Sequence, residues 1–355
     1  MNMILEKLSF LILSLSLVTG LPVKDFQLMA AIDDSEVHNR EVRSLANGLG
    51  WHLDRIDQRS LPLDKKYSPM ANGSGVDIYV FGEGIDYNHG EFEGRAFDGG
   101  FKWLARSKQP NDCSSKFFGT HVASLAVGKS VGVATKANVY SINVLNCRLS
   151  GFFSEVIRGI NYVISSAKRT KRRSVIALPL IGPITGAIDD IMEEAVKENI
   201  VLVASAGNFL RDACSYSPAS SPHVITVGGT AEDDGLYSTS RFAGSNYGKC
   251  VTLYAPAQYT TAAGDNNSYR TLSGTSQSCG IVAGAAALVL EKFPHYTPQQ
   301  VKEYLIDQSA PGVVQTSSRR YSVRPNRFLY VGEEDAGFDG SGGFDGSGDL
   351  GIIIN

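Results

Sequence analysis

The chain is predicted to fold as an α/β domain on a mostly parallel central sheet. Apolar runs of strand length recur at 76–81, 138–144, 174–180, 200–205 and 224–228. Helical patterns at 121–127, 155–167 and 188–198 separate several of them. With 355 residues and 43% hydrophobic content, the chain can bury one large core. Strand–helix alternation at this spacing argues for a parallel sheet covered on both faces. Ligand sites in such sheets lie beyond the carboxyl ends of the strands. Two longer helical patterns, 277–293 and 298–308, close the domain.

The ends differ from the middle. Lys7, an apolar run over 8–18 and the small residues Val18-Thr19-Gly20 read as a secretory signal peptide, residues 1–20. A membrane anchor is the alternative, although the run is short for a bilayer. No second apolar run is long enough to span, so no membrane span is expected. Residues 21–47 read as a polar linker, with no recognisable full pro-domain, and 48–331 as the folded domain. Residues 332–355 read as a Gly/Asp-rich flexible tail in which Gly-Phe-Asp-Gly-Ser-Gly occurs twice in succession. A calcium-binding repeat is the alternative there.

A formal charge of -3 argues against nucleic-acid or membrane-surface partners. The basic run Lys168-Arg169-Thr170-Lys171-Arg172-Arg173 reads as a solvated connection, with a processing site or polyanion contact as the alternative. The expected location is secreted, extracellular. Secretion makes the five cysteines disulfide candidates, and their odd number leaves one over. Asn72 and Asn266 begin glycosylation sequons.

The most specific signals are short motifs in a fixed order. Trp51-His52-Leu53-Asp54-Arg55-Ile56-Asp57-Gln58 comes first, then Gly73-Ser74-Gly75-Val76-Asp77-Ile78-Tyr79-Val80 and His89-Gly90-Glu91-Phe92-Glu93-Gly94-Arg95-Ala96. Gly119-Thr120-His121-Val122-Ala123, Ala206-Gly207-Asn208, Tyr216-Ser217-Pro218-Ala219-Ser220 and Ser273-Gly274-Thr275-Ser276 complete the series. This series resembles the subtilisin-like serine proteases (peptidase S8), specifically their proteinase K branch, over about residues 48–331. The resemblance implies a subtilisin-like three-layer sandwich. It also implies that Ser276 stands at the nucleophile position and Asn208 at the oxyanion position.

The same resemblance puts unexpected residues at the proton-transfer positions. Phe118 stands where the family keeps its catalytic histidine, and Gly82 where it keeps its aspartate. A phenyl ring has no nitrogen to accept a proton, and a serine hydroxyl without a base is a poor nucleophile. Glu83 is adjacent, but successive strand side chains point to opposite faces. His121 matches the family's second histidine, which reads as a structural helix residue. In subtilisin itself, loss of the serine or the histidine costs about 2 × 10⁶ in rate.

The cleft departs too. Pro179-Leu180-Ile181-Gly182 stands where the family has Ser-Leu-Gly-Gly, while Ser150 and Gly151 match its substrate-edge strand. Gln277-Ser278-Cys279-Gly280 replaces the usual Met-Ala-Thr-Pro.

The resemblance further implies the disulfides Cys113–Cys147 and Cys214–Cys250. Cys279 is left over, either as a small packed residue or as a reactive thiol. A calcium site of the branch uses carbonyls near Pro222 and Val224 and an aspartate whose position looks like Thr252. No metal or cofactor is therefore expected. Taken together, these features lead to the expectation of a secreted, proteinase K-like protein that is not an enzyme: a pseudoprotease that binds an extracellular protein or peptide. The alternative is a serine-type endopeptidase with a non-standard or substrate-assisted base.

Overall fold

The computed structural model of the chain describes residues 27–30, 49–102, 113, 115–316, 321 and 323–333. The regions read as signal peptide and tail lie outside the described residues, apart from the first two tail positions. The strands of the first half are β1 (Gln27–Ala30), β2 (Val76–Gly82), β3 (Ala96–Lys102), β4 (Asn138–Asn143), β5 (Ser150–Phe152), β6 (Arg173–Leu178) and β7 (Leu180–Pro183). They are followed by β8 (Ile200–Ser205), β9 (Tyr216–Ser217), β10 (Ile225–Thr230), β11 (Ser238–Ser240), β12 (Ala243–Gly244) and β13 (Leu253–Pro256). Last come β14 (Thr260–Ala263), β15 (Tyr269–Leu272), β16 (Ala310–Pro311) and β17 (Arg327–Phe328). The helices are α1 (Trp51–Ile56), α2 (Phe117–Val127), α3 (Phe153–Thr170), α4 (Gly186–Lys197), α5 (Thr275–Lys292) and α6 (Pro298–Asp307).

The strands form a nine-stranded sheet in the order β16-β17-β13-β10-β8-β6-β2-β4-β3. Every pairing is parallel except β16 with β17. β2 and β8 are buried along their whole length, as strands covered on both faces must be. Helices α2 and α5 pack on one another and on the sheet, and α3 and α4 form a second packed pair. This is the expected α/β three-layer sandwich.

Two differences from the predicted elements have physical causes. The apolar run 174–180 is not one strand, because β6 stops at Leu178 and β7 starts at Leu180. Pro179 between them has no N–H to continue a ladder. Helix α2 starts at Phe117 rather than 121, because the Glu83 carboxylate accepts the backbone N–H groups of Phe118 and Gly119. A cap supplied from the residue after β2, 35 positions away in sequence, leaves no local signal.

Helix α5 is buried at every position from Thr275 to Leu290. That suits a helix apolar on all sides, which must lie inside the molecule. A Cβ on Gly280 would come within 2.6 Å of Val122 O in α2, so glycine permits the close crossing that brings both helix starts to one end of the sheet. Helix α6 begins with a capping box, Thr297 with Gln300, and with Pro298 in its first turn. Both disulfides are present, Cys113–Cys147 and Cys214–Cys250, and Cys279 is free and buried. Burial pushes the Cys279 thiol far up, which leaves it a packed group rather than a reactive one. In the basic run, Lys168 pairs with Glu198 and Arg172 with Asp77.

Candidate active site

Ser276 is the second residue of α5, and its place is set by a joint between two segments. β8 runs on into Ala206, Gly207 and Asn208, which reach the start of α5. Thr275 joins them: Gly207 N donates to Thr275 Oγ1 at 3.0 Å. Thr275 N and Oγ1 both donate to Asn208 Oδ1, at 2.9 and 3.0 Å. With its oxygen held, Asn208 keeps Nδ2 as a buried donor that has no partner among the described residues. A fixed donor beside a serine at a helix N-terminus is the arrangement a developing oxyanion requires. Ser276 is buried, and its Oγ donates to Pro179 O at 2.9 Å.

A second strand–helix joint lies where Gly82 ends β2 and Phe118 opens α2. A Cβ on Gly82 would lie 3.5 Å from Gly119 Cα and 3.9 Å from Phe118 Cδ1, so the two positions face each other. Phe118 is completely buried. Glu83 Oε1 accepts from Phe118 N at 2.9 Å and from Gly119 N at 3.2 Å, and Oε2 lies 3.2 Å from Gly119 N. Burial pushes the Glu83 carboxyl up to about 7, against the opposing pull of these amides.

Of the other groups considered, His121 is buried, with Nε2 at 3.2 Å from Thr260 O and 3.1 Å from Arg270 O. Burial pushes it down to about 3, so it stays neutral and links α2 to the β14–β15 hairpin. His52 similarly sits on Val131 O and is pushed down by burial to about 4.

The cleft residues come together around a strand that the sequence reading missed. Gln27–Ala30, read as part of a polar linker, forms β1 between β5 and β7. It is antiparallel to both. Leu28 lies opposite Gly151 and Met29 opposite Ser150; on the other side Met29 lies opposite Ile181 and Ala30 opposite Leu180. The physical reason is that β5 and β7 present two facing strand edges, and an extended segment satisfies the backbone groups of both. The available sequence signal was the apolar Leu28-Met29-Ala30 inside a charged stretch. Gly182 lies on the far side, paired with Ser217 of β9. Ile181 is 3% exposed, and its Cδ1 would be 2.2 Å from a Cβ on Gly207.

Sequence reasoning also missed the tie made by Thr275 and a cation midway along α6. Lys302 Nζ donates to Pro222 O at 3.1 Å and Val224 O at 2.9 Å, and burial pushes this amine down. These are the carbonyls that the resemblance names for calcium, and here they accept from the Lys302 ammonium. Among the described residues no cluster of His, Cys, Asp and Glu could hold a metal. No described helix is long and apolar enough to cross a membrane. Asn72 and Asn266 are both exposed.

A sequence profile for the subtilase family (Peptidase_S8) matches residues 73–324. The chain is 40% identical over 300 residues to an extracellular serine proteinase of Thermus sp. (strain Rt41A), covering 84% of this chain and 69% of that one. It is 37% identical over 293 residues to alkaline serine exoprotease A of Vibrio alginolyticus, covering 82% of this chain and 52% of that one. The match therefore spans about half the length of the Vibrio relative. The crystal structure of a cold-adapted subtilisin-like serine proteinase superimposes with a TM-score of 0.71 at 37% identity, over 80% of this chain and 98% of that one.

These relatives correct one expectation. The chain was read as a non-enzyme because Phe118 and Gly82 stand at two positions of the resemblance. Proteins 37–40% identical over more than four-fifths of the chain are serine proteinases by name, which overturns that reading.

Proposed function

The chain belongs to the subtilase family, and from that premise we propose that it is a secreted serine-type endopeptidase whose proton acceptor is not a histidine. The observation that carries this is β1, an extended segment seated between β5 and β7 beside Ser276. A cleft that holds one polypeptide strand by its backbone can hold another, and specificity then falls to side-chain pockets. The unpartnered Asn208 Nδ2 supports the reading, because a buried donor left unsatisfied is costly unless a ligand completes it.

In this mechanism Ser276 Oγ attacks the peptide carbonyl. The new oxyanion accepts from the Ser276 N–H and from Asn208 Nδ2. The serine proton has no imidazole to receive it at Phe118, so it passes through water or a group of the substrate to the nitrogen of the scissile bond, which leaves as the amine; water then hydrolyses the Ser276 ester to release the acid. The Ser276 hydroxyl is engaged by Pro179 O, a contact that must loosen for the attack. Secretion and glycans at the exposed Asn72 and Asn266 belong to the same proposal.

The test is fluorophosphonate labelling of secreted protein together with cleavage of a peptide library, each with Ser276→Ala as control. Ser276-dependent labelling and turnover are expected. Absence of both labelling and cleavage would sink the proposal.

A further inference from the structure

We infer that Ile181 closes the space beside Ser276, so that the cleft takes extended peptides with glycine, alanine or serine at the residue whose carbonyl meets that serine. The inference deepens the endopeptidase reading and rests on it.

The register of β1 locates that residue. Met29 lies opposite Ile181 and Ala30 opposite Leu180. The next position of a peptide bound in this way lies opposite Pro179, whose carbonyl receives the Ser276 hydroxyl. The residue opposite Pro179 is therefore the one beside the nucleophile. Side chains alternate along a strand, and directly opposed residues of an antiparallel pair share a face. Peptide residues opposite Pro179 and Ile181 thus direct their side chains to the face that carries the Ile181 side chain.

That face is filled. Ile181 is 3% exposed, and its Cδ1 reaches to 2.2 Å from the Cβ position of Gly207. Gly207 has φ +99° and immediately precedes Asn208, so any side chain there would be both strained and in collision with Ile181. Ile181 and Gly207 interlock across the space between β7 and the oxyanion segment. A hydrogen, methyl or hydroxymethyl group passes them, whereas a leucine or phenylalanine side chain meets Ile181.

Binding tests this separately from catalysis. Two peptides, acetyl-Leu-Met-Ala-Ala-amide and acetyl-Leu-Met-Ala-Phe-amide, extend the β1 sequence by the residue in question. Titration calorimetry with the full chain gives both affinities. Competition from β1 weakens both peptides equally and leaves their ratio intact. The alanine peptide should bind about 10-fold tighter or more, about 10- to 200-fold being the range that a single methylene commands in an apolar pocket. Ile181→Gly, and more weakly Ile181→Ala, should abolish or reverse the preference. Equal affinities in the natural chain, a preference that survives Ile181→Gly, or no binding of either peptide by any of the three proteins would overturn the inference. Loss of Ser276 labelling with the affinity ratio intact would instead overturn only the catalytic reading.

Discussion

The two strand–helix joints, β8 with α5 and β2 with α2, are built alike and finished differently. At β8 and α5, Thr275 fixes the oxygen of Asn208 and leaves its nitrogen as a free donor beside Ser276. At β2 and α2, the facing groups are the Phe118 ring and the bare Cα of Gly82, and the nearby carboxylate of Glu83 is engaged by the helix amides. The first joint leaves a donor without a partner among the described residues, whereas the carboxylate of the second is occupied in capping its helix. On the proposed endopeptidase reading, transition-state stabilisation and proton transfer would belong to separate elements, so that one can change while the other is kept.

The largest test of that contrast is to refit the second joint. Gly82→Asp with Phe118→His should raise kcat/KM by about 10²–10⁴, the usual range for a positioned acid–base group. The substitution at 82 has room, since its Cβ meets only ordinary contacts at 3.5 and 3.9 Å. No gain in a cleavage assay would mean that the two joints differ in more than these side chains.

Damage to the first joint should come next. Asn208→Leu should lower kcat by about 10²–10³ with little change in KM, as removal of an oxyanion donor does. A change confined to KM would assign Asn208 to ground-state binding instead.

Glu83 offers a test through stability. Its folded carboxyl is raised from 4.5 to about 7, so its contribution is complete below about pH 4.5 and is lost as pH rises through about 7. The contribution is on the order of 3 kcal/mol. Glu83→Gln should therefore flatten the dependence of Tm on pH across this window. An unchanged slope would show that the group does not titrate there.

Thr275→Val should give the smallest effect. It removes the hydroxyl that joins Gly207 N and Asn208 Oδ1, at about 1 kcal/mol or roughly fivefold in rate. The effect should vanish in an Asn208→Leu background if the threonine acts only through Asn208.

Much of this was legible before folding. The strand at 200–205 was read to the residue, and β2, β4 and β10 to within two residues at each end, because buried parallel strands are short apolar runs that stand out. The run ending at 180 was misread because a proline inside it splits one apolar stretch into two strands with different neighbours. The site was legible as a set of positions and not as a set of contacts. Glu83 was judged by strand alternation alone, and its capping of α2 depends on a helix 35 positions away in sequence.

By itself, the sequence determined the parallel α/β frame, because burial pattern and element length are local properties. The ordered motifs added the family, the two disulfides and the place of Ser276. Only the tertiary structure decided that Gln27–Ala30 lies between β5 and β7, that Ile181 meets Gly207, that Lys302 sits on two carbonyls, and that Asn208 keeps a buried nitrogen without a partner among the described residues. Each of these is a contact between segments far apart in the chain. Such contacts depend on which edges, carbonyls and empty spaces the folded sheet presents, and no local pattern encodes them.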